Sequence, residues 1–276
     1  MKKLVVLVMT SILSLSAFAE GYQVNLLSTK QTGMGHVGVG MKLGAESMHF
    51  NPAGLVFLKT NMDFSLGISA VMAKAKYSNA GYSVKTDNPV STPLYAYAGF
   101  KIYDNLAAGI SLTTPYGSSL KWPKHWAGAD LIQDISLKSY VIQPTLSYKI
   151  TDKLSIGVGL QLAWGNVNLS RGLMGAKDFQ GLGGTLEGLL PYLDRLPLTD
   201  TEKQGLQDMV LLMKNTTVPP AYARLEGNAH MRAGFNVGVM YDVCDKVTIG
   251  LSYRSKIKMR VKEGDAELSY SNRNIE

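Results

Sequence analysis

Two features of this sequence could support catalysis or cofactor binding: its histidines and one glycine-rich motif. The four histidines are His36, His49, His125 and His230. None belongs to an H-E-x-x-H zinc motif or to a nucleophile elbow. Gly33-Met34-Gly35-His36-Val37-Gly38 fits G-x-G-x-x-G, but it follows no hydrophobic strand and opens no helix of a βαβ unit, as a dinucleotide site requires. The lone Cys244 excludes an intramolecular disulfide and a thiolate-rich zinc site. We therefore expect no enzyme, no cofactor and no metal.

The first nineteen residues have the pattern of a secretory signal peptide. Lys2 and Lys3 are positively charged, residues 4–15 are apolar, and Ala17-Phe18-Ala19 fits the A-x-A cleavage site. We expect the signal peptide to be residues 1–19 and the mature chain to begin at Glu20.

Composition narrows the class of protein further. Charged residues make up 18% of the 276 residues, below the roughly 25% of a typical soluble domain. No stretch after residue 19 approaches the roughly 20 apolar residues of a membrane-spanning helix. Without Lys2 and Lys3, 26 basic residues (28 − 2) face 21 acidic ones, with no basic run of five or more. We expect no nucleic acid partner.

The remainder of the chain alternates between apolar and small or polar residues with a period of two, which predicts β-strands. Between Leu154 and Trp164 the even positions are bulky and apolar, whereas the odd positions begin Ser155, Gly157, Gly159. Most of the strands exceed the usual five or six residues. The seven predicted strands are 62–72, 94–102, 106–112, 140–150, 154–164, 229–241 and 247–253.

The connections and the aromatic residues favour a transmembrane β-barrel over a secreted β-sandwich, which also alternates. Short turns alternate with long insertions, as periplasmic turns and extracellular loops do. The short turns are 104–105, 151–153 and 242–246, and the insertions are 78–91, 114–137 and 171–226. Aromatic residues near strand ends, as in interfacial girdles, are Tyr103, Tyr148, Tyr241 and Tyr253. With a signal peptide, this predicts an all-β antiparallel barrel in a Gram-negative outer membrane.

Seven strands do not close a bacterial barrel, which uses an even number. Open strand edges inside lipid leave unpaired backbone amides, which cost several kcal/mol each. We therefore expect a C-terminally incomplete barrel, the alternative being a half-barrel completed by a second chain. Residues 20–58 are glycine-rich and do not alternate. We interpret them as an N-terminal hatch that plugs the polar lumen, and residues 59–276 as the partial barrel with long extracellular loops at 114–137 and 171–226.

Several short motifs occur in one order along the mature chain. They are Gly21-Tyr22-Gln23, Gly33-Met34-Gly35, Asn51-Pro52-Ala53, Thr114-Pro115-Tyr116-Gly117, Lys153-Leu154-Ser155-Ile156-Gly157-Val158-Gly159 and Gly250-Leu251-Ser252-Tyr253-Arg254-Ser255. On these residues the chain resembles the FadL family of outer-membrane transporters for hydrophobic compounds. The resemblance implies a fourteen-stranded barrel with an N-terminal hatch. This chain would supply the hatch and the first half of that barrel.

Arg171 is the first candidate for ligand binding. Its odd number puts it in phase with Ser155, on the predicted lumen face, together with Val167 and Leu169. The resemblance implies that it contacts the carboxylate of a ligand, for which a guanidinium is a forked and permanently charged partner. The alternative is an arginine that faces solvent at the base of a loop. Tyr22 matches an aromatic residue that, by the same resemblance, reaches the ligand pocket.

Pro115, Tyr116 and Gly117 close the third predicted strand. Proline removes a donor from the strand ladder and glycine permits unusual dihedrals, so a simple strand end is one interpretation. The resemblance implies instead an inward kink that opens the barrel wall sideways. Asn51, Pro52 and Ala53 are expected to fix a turn of the hatch.

The insertion 171–226 carries a helical signal. Thr199-Asp200-Thr201-Glu202 fits a capping box. Leu206, Met209, Val210 and Met213 follow it at the spacing of an amphipathic helix. A shorter apolar set at 186–193 is broken by Pro191. These helices either pack only on each other or form an external groove that captures the ligand. Trp122 and Trp126 line the same groove or simply pack.

The predicted function is outer-membrane transport of hydrophobic compounds, with long-chain fatty acids as the main ligand. The expected steps are capture at the loops, binding in the lumen and lateral release into lipid. The alternatives are uptake of neutral aromatic hydrocarbons, for which Arg171 would be dispensable, and a non-transporting structural or adhesive barrel. The hatch argues against a water-filled porin. The expected partners are the hydrophobic ligand and outer-membrane lipid, and the chain is expected to be monomeric.

Overall fold

The computed structural model describes residues 23–195 and 197–271. The predicted signal peptide and Tyr22 lie outside the described residues. The first part, which we call the N-terminal segment (residues 23–58), consists of short helical turns. These are α1 (Thr29–Gly33), a 3-10 turn (Gly44–Glu46), α2 (Ser47–Phe50) and a second 3-10 turn (Pro52–Phe57). Side chains cap two of them, since Ser28 accepts a hydrogen bond from Gln31 N and Asn51 from Ala53 N.

One antiparallel sheet makes up most of the remaining chain. The strands of the described residues are β1 (Met62–Ile68), β2 (Lys76–Asn79), β3 (Tyr82–Lys85), β4 (Leu94–Tyr103), β5 (Leu106–Thr113), β6 (Gly117–Lys121), β7 (Asp134–Lys149), β8 (Leu154–Gly172), β9 (Ala221–Cys244), β10 (Val247–Arg254) and β11 (Val261–Tyr270). The main path of the sheet follows the order β1-β4-β5-β7-β8-β9-β10, while β6 pairs with β7 and β11 pairs with β9. The other two strands, β2 and β3, form a separate hairpin. The seven predicted strands are the seven strands of this path.

The two faces of the sheet have opposite character. In β8 the outward Ile156 and Val158 are 42% and 48% exposed, whereas the inward Ser155 and Gln161 are buried. Apolar side chains outside and polar side chains inside are the reverse of a water-soluble sandwich and match the wall of an outer-membrane barrel. No helix in residues 23–195 and 197–271 is long and apolar enough to cross a membrane.

The first predicted strand is shorter than expected, since β1 ends at Ile68 instead of residue 72. Three strands extend well beyond their predicted ends. β7 begins at Asp134 instead of residue 140, β9 begins at Ala221, and β8 continues to Gly172. The outward positions of β8 change from Trp164 to polar residues at 166, 168 and 170, while pairing with β7 continues in one register. The alternation between apolar and polar residues therefore ends where the apolar outward band of the sheet ends, although the strands continue beyond it.

Two helices, α3 (Ala176–Leu189) and α4 (Asp200–Asn215), lie between β8 and β9 and are separated by a 3-10 turn (Leu190–Arg195). The predicted capping box is present, with Thr199 N donating to Glu202 Oε2 at 2.8 Å. The helices pack closely at Gly183, where an added Cβ would lie 2.8 Å from Met213 Cβ. α3 begins ten residues before the predicted apolar set at 186–193. The helix contains several glycines, which interrupt the apolar periodicity that would have predicted it.

Candidate functional site

Polar side chains on the inward face of the sheet hold the N-terminal segment. Ser147 Oγ and Ser155 Oγ both donate to Ala53 O, at 3.1 and 3.0 Å. Gln143 Nε2 donates to Met48 O at 2.6 Å. Because these carbonyls are buried, each needs a partner, and the wall supplies it. The segment is therefore fastened to β7 and β8 through its backbone.

Asn51, Pro52 and Ala53 occupy the closest approach between the segment and the wall. Asn51 is fully buried, and its Nδ2 lies 2.8 Å from Val39 O and 3.1 Å from Val239 O. An added Cβ on Gly238 would clash with Asn51 Oδ1. The three residues predicted for the hatch turn thus lie in direct contact with the backbone of the sheet.

Other contacts tie the segment to β1, β4 and β9. The buried carboxylate of Glu46 accepts hydrogen bonds from Ser28 Oγ and Ser65 Oγ, both at 2.6 Å. Tyr97 Oη donates to Leu27 O at 2.8 Å. Lys42 Nζ and Asp242 Oδ2 form an ion pair of 2.6 Å. These contacts fix the segment at several separated points of the wall.

The wall is interrupted after β5. Thr114 N donates to Leu94 O, where β4 begins, and β6 pairs with β7 alone. In place of β4, the N-terminal segment approaches this edge, since Val24 N donates to Pro115 O at 2.8 Å and Gln23 forms a β-bridge with Tyr116. Pro115, Tyr116 and Gly117 therefore mark the point at which strand pairing changes.

A cavity of about 570 Å³ lies at this interruption, within the range of small-molecule sites. The N-terminal segment, the 69–93 connection, β6 and β7 surround it. Its lining mixes apolar and hydroxyl side chains and includes Leu26, Val71, Val90, Leu94, Tyr116 and Ser136.

Arg254 is a functional candidate that the sequence reasoning missed. It ends β10, and its Nη2 donates to His49 O at 2.5 Å and lies 3.3 Å from His49 Nδ1. The guanidinium also faces the side chain of Tyr116. The sequence feature that could have identified Arg254 is the same one that identified Arg171. Arg254 is an inward-phase arginine at the end of a strand, two residues after the inward Ser252.

Two histidines lie beside Arg254, and the pKa of each is lowered. The rings of His36 and Phe50 are 4.9 Å apart, and those of His49 and Phe50 are 5.1 Å apart. Burial, then the charge of Arg254, lowers the pKa of His36. Burial, then Arg254, then His36 hold the pKa of His49 well below its ordinary value. The charge of Arg254 thus disfavours a positive charge on either histidine.

Arg171 lies at the outer end of β8, opposite Ala223 of β9, and is exposed. The register with β7 is unbroken, so Arg171 keeps the phase of the buried Gln161. Val167 and Leu169 share this phase and are half-buried. These three predicted residues therefore lie on one face of the outer end of β8.

An apolar groove of about 310 Å³ lies between α3 and α4, on the side of the turn that joins them. It is lined by Leu186, Leu189, Leu190, Tyr192, Leu206, Met209 and Val210. Met213 does not line it and is buried between the helices. Trp122 and Trp126 lie elsewhere, stacked with ring centroids 4.4 Å apart, and Trp126 Nε1 donates to Ile132 O. The two tryptophans pack with Ala129 in a separate cluster.

An antiparallel wall that is apolar outside, polar inside and filled by an N-terminal segment defines an outer-membrane β-barrel protein. The chain belongs to the outer membrane protein transport protein family (OMPP1/FadL/TodX), whose family model matches residues 10–275. The protein is therefore located in the Gram-negative outer membrane. No enzyme class is implied by the family, which is one of transporters.

Among curated proteins, the chain is similar to the long-chain fatty acid transport protein of Escherichia coli K12, with 25% identity over 262 residues, 92% of this chain and 56% of the relative. The Salmonella typhi protein of the same name is 24% identical over 261 residues, 92% of this chain and 54% of the relative. The chain thus spans about half the length of the curated relatives it matches.

Two solved structures share the fold. A Pseudomonas aeruginosa FadL homologue aligns with a TM-score of 0.58 at 17% identity, covering 86% of this chain and 53% of that one. The P. putida toluene transporter TodX aligns with a TM-score of 0.57 at 18% identity, covering 86% and 60%. The antiparallel barrel predicted from the sequence is therefore confirmed as the fold class.

Proposed function

We propose that the protein carries hydrophobic compounds across the outer membrane, with long-chain fatty acids as the main ligand. The observation that carries this proposal is the cavity at the wall interruption beside Tyr116, which is lined in part by the N-terminal segment. A wall with full pairing would give an apolar ligand no lateral route, because every strand edge would be satisfied. The E. coli relative is named a long-chain fatty acid transport protein, which supports this ligand class.

We assign a step to each part of the site. The groove between α3 and α4 captures the ligand, because it is apolar and external and lies on helices away from the wall. Arg171, Val167 and Leu169 bind it in the lumen above the N-terminal segment, together with Tyr22. The residues Pro115, Tyr116 and Gly117 form the lateral exit into lipid. In this scheme residues 20–58 act as the hatch and residues 59–276 belong to the barrel.

Uptake of neutral aromatic hydrocarbons is the second candidate function. The groove lining of leucines, Tyr192, Met209 and Val210 carries no charged side chain, so it suits a ligand without a carboxylate. One solved structure of the same fold is named a toluene transporter. We propose transport and not catalysis in either case, with the hydrophobic ligand and membrane lipid as partners of a monomer.

Uptake assays with the full-length gene test the proposal. Cells that lack the gene, complemented with wild type or Arg171→Ala, would be assayed for oleate and toluene uptake, with the exposed Arg224→Ala as control. A fatty acid transporter loses oleate uptake in Arg171→Ala, whereas a hydrocarbon channel keeps toluene uptake in every variant. A structural or adhesive barrel gives equal uptake of both compounds with and without the gene.

A further inference from the structure

The surroundings of Arg254 point to a second anion site that is connected to the N-terminal segment. We propose that Arg254 binds the carboxylate of the ligand at the inner end of the lateral exit and, in doing so, exchanges its hydrogen bond to His49 for one to the ligand. This inference rests on the proposed transport function. It differs from the role assigned to Arg171, which lies at the outer end of β8.

The hydrogen-bonding state of the guanidinium is the first support. Arg254 Nη2 donates to His49 O, whereas Arg254 Nε is buried and has no hydrogen-bond partner among the described residues. A buried donor without a partner is costly, so such a donor calls for an explanation. A carboxylate that binds in the forked manner takes two donors from one edge of a guanidinium. Nε and Nη2 form such an edge, and one of its two donors is free.

The second support is that His49 O keeps a partner when Arg254 leaves it. Asn236, which is opposite Arg254 in the pairing of β9 and β10, has its Nδ2 3.4 Å from His49 O. The carbonyl would therefore not be left unpaired during the exchange. Arg254 can thus release one hold on the N-terminal segment at small cost, while the carboxylate gains a charge-assisted bond.

The charge balance around Arg254 favours an anion. His36 and His49 are its titratable neighbours in the N-terminal segment, and Tyr116 and Tyr97 face it from the wall. None of these neighbours is a carboxylate, and no carboxylate of the described residues lies within ion-pair distance of Arg254. Glu46 lies in the same segment, but its two oxygens are bonded by Ser28 and Ser65.

The location connects the head group to the exit. Tyr116 faces the guanidinium and also lines the cavity at the wall interruption. A carboxylate on Arg254 would therefore place the acyl chain of the same ligand toward the cavity and its apolar residues Val71, Val90 and Leu94. The ligand would loosen the N-terminal segment from the site at which it leaves the lumen.

Binding of an acid and of its matched alcohol to the full-length protein in detergent tests the inference. Oleate and oleyl alcohol have the same chain, and only oleate offers a carboxylate. We expect Arg254→Gln to weaken oleate at least about tenfold, a loss of one charged hydrogen bond, without weakening oleyl alcohol. Arg254→Lys should restore part of the oleate affinity. Arg224→Gln, an exposed arginine paired with Glu226, is the matched control.

Each outcome decides between the two proposals. Unchanged oleate binding in Arg254→Gln, or equal loss of oleate and oleyl alcohol, overturns the anion site. A wild-type protein that binds neither compound overturns the proposed function instead. Hydrogen exchange of wild type needs no variant: oleate, and not oleyl alcohol, should speed exchange of the amides around His49. Equal exchange rates with both ligands would also overturn the coupling.

Discussion

Gly157 of β8 touches the backbone of Pro52, because a Cβ added to Gly157 would lie 2.3 Å from the carbonyl carbon of Pro52. The nearest atoms are backbone atoms, which cannot rotate away as the end of a side chain can. The glycine is thus required for the N-terminal segment to lie against the wall. The relationship joins two motifs that are about a hundred residues apart in the sequence.

Gly157→Ala is expected to displace the N-terminal segment while the strands remain paired. Overpacking of a tight contact costs about 1–3 kcal/mol, which here would weaken docking of residues 51–53. Hydrogen exchange of these amides should accelerate, and single-channel recordings should show openings absent from wild type. Gly184→Ala, at a helical glycine with open space around it, is the control. Identical exchange in the two variants would contradict the contact.

Asn51→Ala removes the side chain that bridges the N-terminal segment to β9 and β10. Val239 O and Leu251 O lose a donor, and Ala53 N loses an acceptor. Each lost hydrogen bond costs about 0.5–1.5 kcal/mol, and the loss is larger for Ala53 N, which is buried. Limited proteolysis of folded protein should cut the N-terminal segment faster than in wild type. The exposed Asn61→Ala should not change the cutting rate, and equal rates would refute the bridging role.

Acid is expected to loosen the N-terminal segment. The pKa of His49 and that of His36 are lowered in the folded state, by burial first and then by Arg254. Above the ordinary histidine pKa of about 6.5 both states are neutral, so this effect is absent. As the pH falls below that value, the free segment gains protons before the docked one, and docking weakens. In NMR, the ring signals of both histidines should titrate at a lower pH than those of a free histidine. A His49 pKa near the ordinary value would exclude this effect.

A bulky side chain in the cavity at the wall interruption should block exit without blocking binding. Ser136 lines this cavity, so Ser136→Trp is expected to reduce oleate uptake about tenfold or more, while equilibrium binding of oleate stays within about twofold. Ser78→Trp in the exposed β2–β3 hairpin is the control. Normal uptake by Ser136→Trp would argue for a different exit.

Charge in the groove between α3 and α4 should slow capture. Met209 lines the groove and is 44% exposed, whereas Leu211 lies outside the groove and is 61% exposed. A carboxylate on an apolar surface disfavours both an acyl chain and a fatty acid anion. Met209→Asp is expected to lower the association rate of oleate about tenfold, and Leu211→Asp is not. Equal rates in the two variants would exclude the groove from capture.

The period-two alternation of the sequence was sufficient to predict the strands of much of the wall and which of their residues face inward. The odd positions that begin with Ser155 are the inward ones, and the capping box at Thr199 begins a helix. Hydrophobic alternation could not locate the start of β7, because residues beyond the apolar belt face water on both sides. The inward phase of Arg254 was available from the sequence, but its contact with His49 was not predictable, since His49 is 205 residues away in sequence. Such contacts depend on how the N-terminal segment lies on the wall, for which no local pattern exists.

The helices of the N-terminal segment have consequences for biogenesis. α1 and α2 contain five and four residues, too few for a helix to persist alone in water. Two carbonyls of the segment, Met48 O and Ala53 O, accept hydrogen bonds from Gln143, Ser147 and Ser155 of the sheet. We therefore expect the segment to cross the periplasm without stable helices and to acquire its shape when the strands assemble around it. A periplasmic chaperone would meet it without structure, and an assembly machine would have to admit it before the last strands close.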